Sequence, residues 1–297
     1  MKRFTFYLIL ALCAVVMRAA ANDVLFPYPQ PPADMERLDE RADFIVSRFW
    51  RPCDFKSAMS KTDKLRATFN DWIGLMPYAT ADTVHAAIKN LLATVTKSGP
   101  QTLMLAQIAE ESVYSDSAEY YSAEIFLPFA KAAMDHKKIP ADKKAHFAGL
   151  VKKIENVQPG KPVGHLEFTN ADGTKQGIDN FKTQIVAVVF NSHANSDSSL
   201  ARVRLSADYN INKLIEARLL TVISLEPGEP TKEWLEAAAS YPSNWIVGAA
   251  PDACEWFELP TEPTILLLDG RHRVLAKDVA VEGLMGAMER FRQQSGL

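Results

Sequence analysis

Ser192, His193, Ser196, Asp197, Ser198 and Ser199 bring hydroxyls, an imidazole and a carboxylate into one short stretch. These are the groups of a Ser-His-Asp nucleophile. Such a nucleophile needs a hydroxyl, a base and an orienting acid in one geometry, facing oxyanion donors, and adjacency in sequence supplies none of that. A single histidine without ligand spacing makes no metal site either. A plainer role fits the same residues. Asp197 or Ser198 would N-cap a following helix, whose first turn then offers backbone N–H groups to an anion or to a partner's backbone.

The stretch lies where an element changes. Ile185 to Phe190 is an apolar, β-branched run that breaks into the polar loop, as a buried parallel strand does before a helix. In α/β domains that end of a strand is where ligands sit. The elements around it follow the same logic. His165 to Phe168 alternates as a short strand and Asn170 to Gly173 makes a turn. Thr183 to Phe190 is the central strand, and Ser198 to Glu216 a helix carrying Leu200, Val203, Leu205, Ile211 and Leu214. Leu219 to Leu225 is a strand, Lys232 to Ala239 a helix, and Thr264 to Leu268 a strand. Asp269-Gly270 turns into Val274 to Ala276, and Leu284, Met285, Met288 and Phe291 mark a last helix. The order βαβαββα behind a short strand predicts a mixed sheet with helices on both faces.

The half before Gln158-Pro-Gly-Lys-Pro162 has a different period. Met35, Leu38, Ala42, Ile45 and Phe49 form one helical stripe, with Asp34 as its cap. Leu65 to Met76, Val84 to Val95, Leu103 to Ala109, Tyr121 to Met134, and a stretch opened by Pro140 and Asp142 continue the pattern. No fixed repeat length relates these helices, so a compact bundle is expected rather than a solenoid. Phe26 to Pro32 is a proline-rich lead-in: a linker, a strap over the domain, or a polyproline ligand for another protein. Phe49 to Phe55 is the densest aromatic cluster, read as core packing or as a docking patch.

The 297 residues allow two domains, and the net charge of −3 makes no electrostatic case for nucleic acid or an acidic membrane surface. Lys2 and Arg3, the apolar run Phe4 to Met17 and Ala19-Ala20-Ala21 read as a signal peptide over residues 1–21, which implies an exported, periplasmic or envelope-associated protein. The membrane would be met only through that segment if it stays uncleaved. Beyond it lie Cys53 and Cys254, which make no CxxC pair. One disulfide or two free thiols are both open.

Gly160 to Gly173, Val188-Val-Phe190 and Glu262 to Gly270 resemble the exported bacterial thioredoxin-like thiol-disulfide oxidoreductases, the last segment being similar to their x-P-T-x-x-L-x-D strand. The resemblance covers residues 160–297. Ser115 to Phe129 is similar to a motif of a helical domain of unknown function that precedes such modules in exported bacterial proteins. The organisation implied is residues 1–21 signal, 22–32 lead-in, 33–158 an all-α domain, and 159–297 a thioredoxin-like domain: α + α/β overall. By resemblance Pro263 is the cis-proline facing the active-site loop, and the two cysteine positions of the family motif fall on Asn195 and Ser198. Neither can form a thiolate, so thiol-disulfide exchange cannot run there. The expectation is a non-catalytic binding or scaffolding protein with no cofactor and no metal. It would hold an extended peptide or envelope protein through His193, Asn195, Ser196, Asp197, Glu262 and Pro263. The alternative is a divergent oxidoreductase using Cys254, with Cys53 as resolving thiol.

Overall fold

The computed structural model describes residues 24–115 and 117–297, so the predicted signal peptide, with Asn22 and Asp23 of the lead-in, lies outside the described residues. Two compact units divide at Ala148/Gly149, and each is taken by itself.

The first unit is helical: α1 Leu38–Arg48, α2 Phe55–Ala58, α3 Thr62–Leu75, α4 Ala81–Val95, α5 Gly99–Val113, α6 Ala123–Asp135 and the start of α7 Ala141–Glu155. Aromatic side chains set its centre. Phe49, Phe69, Trp72, Phe126 and Phe129 are fully buried. Trp72 also donates its indole N–H to the Val46 carbonyl at 3.3 Å, tying α3 to α1. Phe49 and Phe55 of the aromatic cluster are thereby core, with Trp50 partly buried between them. Phe26 is buried edge-on against Phe49 and Trp50, and the Tyr28 hydroxyl donates to Asp71 at 2.5 Å, so the lead-in is a strap. Two expectations are corrected. Asp34 caps nothing, because α1 starts later, with Arg37 in the N-cap position and paired to Asp39 and Glu40 of the first turn. Leu38, counted among the apolar stripe, stands exposed.

The second unit is a seven-stranded sheet in the order β2-β1-β5-β4-β3-β6-β7. The strands are β1 Glu167–Asn170, β2 Lys175–Gly177, β3 Ile185–Phe190, β4 Leu220–Glu226, β5 Ile246–Ala249, β6 Thr264–Asp269 and β7 Val274–Ala276. The helices between them are α8 Ser196–Ala207, α9 Tyr209–Glu216, α10 Lys232–Ala238, α11 Ala253–Trp256 and α12 Val281–Gln294. β3, β4 and β5 run parallel; β6 pairs antiparallel with β3, and β1 with β5.

Alternation along β3 shows why its whole run is apolar. Val186, Val188 and Phe190 enter one core with Leu225, Phe257 and Leu266, while Ala187 and Val189 enter the other with Leu205, Leu214, Ile265 and Met288. A strand covered on both faces has no polar side to show. Val157, just past α7, already belongs to the first of these cores. That is why the compact units part inside α7, before the proline-glycine turn at 159–160.

Three differences from the sequence reading have local causes. The helix expected from Ser198 to Glu216 is two helices, because Asp208 leaves helical geometry and its carboxylate accepts the Ile211 N–H at 2.9 Å, starting α9. Leu200 and Val203 face outward, 59% and 61% exposed, and take no part in the core. The strands β2 and β5 join the sheet in addition to those expected. Gly248 sits in β5, where a Cβ would come within 2.4 Å of the Phe168 ring crossing it from β1.

Candidate functional site

The loops at one end of the sheet come from four strands. Phe190, the last residue of β3, stands opposite Leu225 of β4 on one side and Thr264 of β6 on the other. The segment 191–195 therefore leaves the sheet beside Pro263, which immediately precedes Thr264. β4 ends at Glu226 and β5 at Ala249, with those two residues paired. The chain beyond β5 leads into α11, which holds Cys254.

Buried polar groups fix the loop. Asn191 is fully buried, donates its backbone N–H to Leu225, and pairs its side-chain amide with the buried Ser224 hydroxyl at 3.1 Å. Two residues on, the His193 backbone N–H donates to Glu226 Oε2 at 2.8 Å, and the imidazole Nδ1 lies 3.2 Å from the same oxygen. One mostly buried carboxylate thus holds the main chain of His193 and lies close to its imidazole, whose Nδ1 makes no hydrogen bond. Among the described residues no hydrogen bond joins His193 to a serine hydroxyl, and Asp197 is exposed on the first turn of α8. The Ser-His-Asp geometry is not assembled.

Asn195 is the N-cap of α8. Its Oδ1 accepts the Ser198 N–H at 2.9 Å, which corrects the expectation of Asp197 or Ser198 in that role. Asp197 and Ser196 are exposed first-turn residues, where an acidic side chain complements the helix dipole. Ser198 is fully buried, so it is not a loop residue open to a ligand. The expected binding-loop residues therefore split. His193 and Asn195 are half-buried and pinned, whereas Ser196, Asp197 and Glu262 are open to solvent.

Pro263 follows a cis peptide bond from Glu262. The turn around it is closed by two hydroxyls: Thr264 donates to the Thr261 carbonyl at 2.5 Å, and Thr261 to the Pro263 carbonyl at 3.2 Å. Behind this turn, buried Glu258 pairs with Lys277 at 3.5 Å. Asp278 stands beside Lys277, and burial holds its carboxyl above the usual range, opposed by the Lys277 charge and reinforced by Glu258. Beneath α8, the Arg202 guanidinium lies 4.2 Å over the Tyr241 ring. Burial is the main cause raising the Tyr241 hydroxyl, with Glu226 adding and Arg202 opposing.

Glu226, Asn191, Ser224 and Glu258 are the residues that sequence reasoning passes over. The available signal is a polar residue at or just past the end of an otherwise apolar strand, as Glu226 and Asn191 are.

Cys53 and Cys254 are both free thiols. Cys254 is exposed, with its thiol 3.9 Å from the Pro227 carbonyl, next to the Glu226 that holds His193. Of the two possibilities left open by the sequence, the structure holds two free thiols, and Cys254 is not packed. Cys53 is half-buried in the helical unit; burial first, then the Asp54 charge, push its thiol up to about 12. Among the described residues no group of three or more His, Cys, Asp or Glu side chains is placed to hold a metal ion, and no helix is long and apolar enough to cross a membrane.

The geometry has counterparts among known proteins. Residues 14–156 match the model of a domain of unknown function, DUF5106. A thioredoxin-like protein from Bacteroides caccae superposes with a TM-score of 0.70 at 18% identity, over 89% of this chain and 98% of that one. A conserved protein of unknown function from Bacteroides fragilis matches over 44% of this chain and 98% of its own, at 25% identity and a TM-score of 0.42. The thioredoxin domain of a thiol-disulfide oxidoreductase from Bacteroides vulgatus matches over 45% of this chain and 97% of its own, at 18% identity and a TM-score of 0.38. No curated protein matches the sequence. Residues 14–156 are thus similar to the DUF5106 domain, and the fold of the chain is thioredoxin-like.

Proposed function

We propose that this protein is a non-catalytic binding or scaffolding protein of the bacterial cell envelope, exported by its N-terminal segment. In this reading it holds an extended segment of a partner where the loop from Asn191 to Ser198 meets Pro263. The observation that carries the reading is the Asn195–Ser198 hydrogen bond. The two positions at which related oxidoreductases carry sulfur are here a helix cap and the backbone it caps. A side chain committed to capping holds the loop in one shape without offering an electron pair for exchange. A rigid loop beside a proline that cannot donate a hydrogen bond leaves room for an extended peptide to add its own backbone. Asp197 and Glu262 are the exposed charges at its rim.

A second reading is favoured by one feature. Cys254 is exposed at this same end of the sheet, so a thiol-disulfide oxidoreductase that moved its sulfur would use it. Cys53 makes a poor resolving thiol, because at about 12 it carries almost no thiolate near neutral pH.

A disulfide-reductase assay on the chain and on its Cys53→Ser/Cys254→Ser variant separates the two. Background rates in both are the expected result. A cysteine-dependent rate overturns the non-catalytic reading. Partner capture from an envelope extract then tests the loop: Asn195→Arg and Asp197→Arg are expected to abolish capture, and equal capture by the unaltered chain and both variants removes the loop from the binding site.

A further inference from the structure

The helical unit has a cleft of its own. It has a volume of about 440 Å³ and is lined by Thr96, Lys97, Ala132, Asp135, His136, Lys137 and Lys138. It lies where α4 and α6 end, and its walls are fixed by His136. The Lys138 N–H donates to His136 Nδ1 at 3.1 Å, so the ring proton sits on Nε2, which faces the Thr96 carbonyl at 3.1 Å. Both ring nitrogens are used, and the two chain ends are joined. Gly99, at the start of α5, lets this junction close: a Cβ there would press to 3.2 Å on Lys138 Cβ and 3.3 Å on His136 Cε1.

The three lysines are exposed, and among the described residues none of them has an ion pair or a side-chain hydrogen bond. Asp135 is the one carboxylate in the lining. Three ammonium groups against one carboxylate leave an excess of two positive charges, in a chain whose net charge is −3. Lysines at helix C-termini also offset the partial negative charge of terminal carbonyls. That role needs no cleft and no fixed wall between them. Three lysines without partners lining this open depression match the chemistry of a tetrahedral oxyanion, which accepts from several donors at once.

We infer that this cleft binds a phosphoryl group, with Lys97, Lys137 and Lys138 as its donors and Thr96 and His136 as its rigid frame. The group has two possible carriers, a soluble phosphate compound or a lipid headgroup.

The test uses the full chain and a Lys97→Gln/Lys137→Gln/Lys138→Gln variant. Inorganic phosphate is titrated by calorimetry and by thermal shift, against chloride at equal ionic strength. Vesicles of phosphatidylglycerol and phosphatidylcholine, and of phosphatidylcholine alone, are tested by co-sedimentation. The expected result is saturable phosphate binding whose Kd rises about tenfold or more in the variant. Vesicle binding that needs the anionic lipid and the three lysines, without binding of free phosphate, identifies the headgroup as carrier and also supports the site. Two outcomes overturn the inference: no binding of either probe, or binding that the variant retains in full. A variant that melts lower without any anion, while neither phosphate nor anionic vesicles bind the unaltered chain, assigns the lysines to the helix ends alone.

Discussion

Asn195 Oδ1 accepts the backbone N–H of Ser198 at 2.9 Å, so these two positions form the cap of α8. A cap of this kind satisfies a donor that the helix cannot satisfy itself. Asn195→Ala is expected to lower stability by about 1 kcal/mol, and Asn195→Asp to leave it nearly unchanged. Urea unfolding of both variants checks this. Equal stability of the alanine variant and the unaltered chain would show that the cap contributes nothing.

Gly248 tests the packing that carries the site's far strand. A Cβ at this position meets the Phe168 ring at 2.4 Å, and Phe168 is buried and stacked on Phe181. The ring cannot retreat without losing that contact. Gly248→Ala is expected to cost roughly 1–3 kcal/mol. The same substitution in a Phe168→Leu background is expected to cost less, because the narrower side chain clears the new methyl. Additive costs in the double variant would place the strain somewhere other than this contact.

How much of this was legible before the structure follows from the range of each interaction. Ile185 to Phe190 announces a strand buried on both faces because each residue reports its own environment. The helical stripes of the first unit do the same. Glu226 is not legible as a loop anchor, since its partner His193 lies 33 residues earlier and only the parallel pairing of β3 and β4 brings them together. The cap of α8 is half legible: Asn195, Asp197 and Ser198 are all capping residue types, and periodicity does not resolve an offset of two or three positions. β5 is short and contains Gly248, so its pattern is too brief to separate from a loop. Asp208 breaks a continuous apolar pattern by capping, which a reading of apolar spacing alone passes over.

Asp278 gives a pH-dependent prediction. Burial is the main cause raising its carboxyl, and Glu258 adds to it against Lys277. A carboxyl raised in the folded state binds its proton more tightly folded than unfolded. Stability therefore falls as pH rises from the ordinary carboxylate range through the raised value, and the cost is fully present at neutral pH. Asp278 also has a φ of 50°, a left-handed conformation that asparagine tolerates well. Asp278→Asn is thus expected to melt higher than the unaltered chain near pH 7, with the gap closing toward about pH 4. A gap that stays constant across that range, or widens in acid, contradicts the assignment.

The two thiols should differ in reactivity for reasons set by their surroundings. Cys254 is exposed, while burial and the neighbouring Asp54 push the Cys53 thiol up to about 12. Alkylation follows the thiolate and its access. Iodoacetamide on the native chain near pH 8 is therefore expected to label Cys254 first, with Cys53 reacting only after unfolding in urea. Peptide mapping at successive times reads the order directly. Cys254→Ser should leave a native chain that takes up almost no label, and rapid labelling of Cys53 in that variant would show that the helical unit opens around it far more readily than its packing implies. The order also bears on function. A Cys53 with so little thiolate would resolve a mixed disulfide formed at Cys254 slowly, and an oxidoreductase built on Cys254 would then be served better by a thiol supplied by its partner.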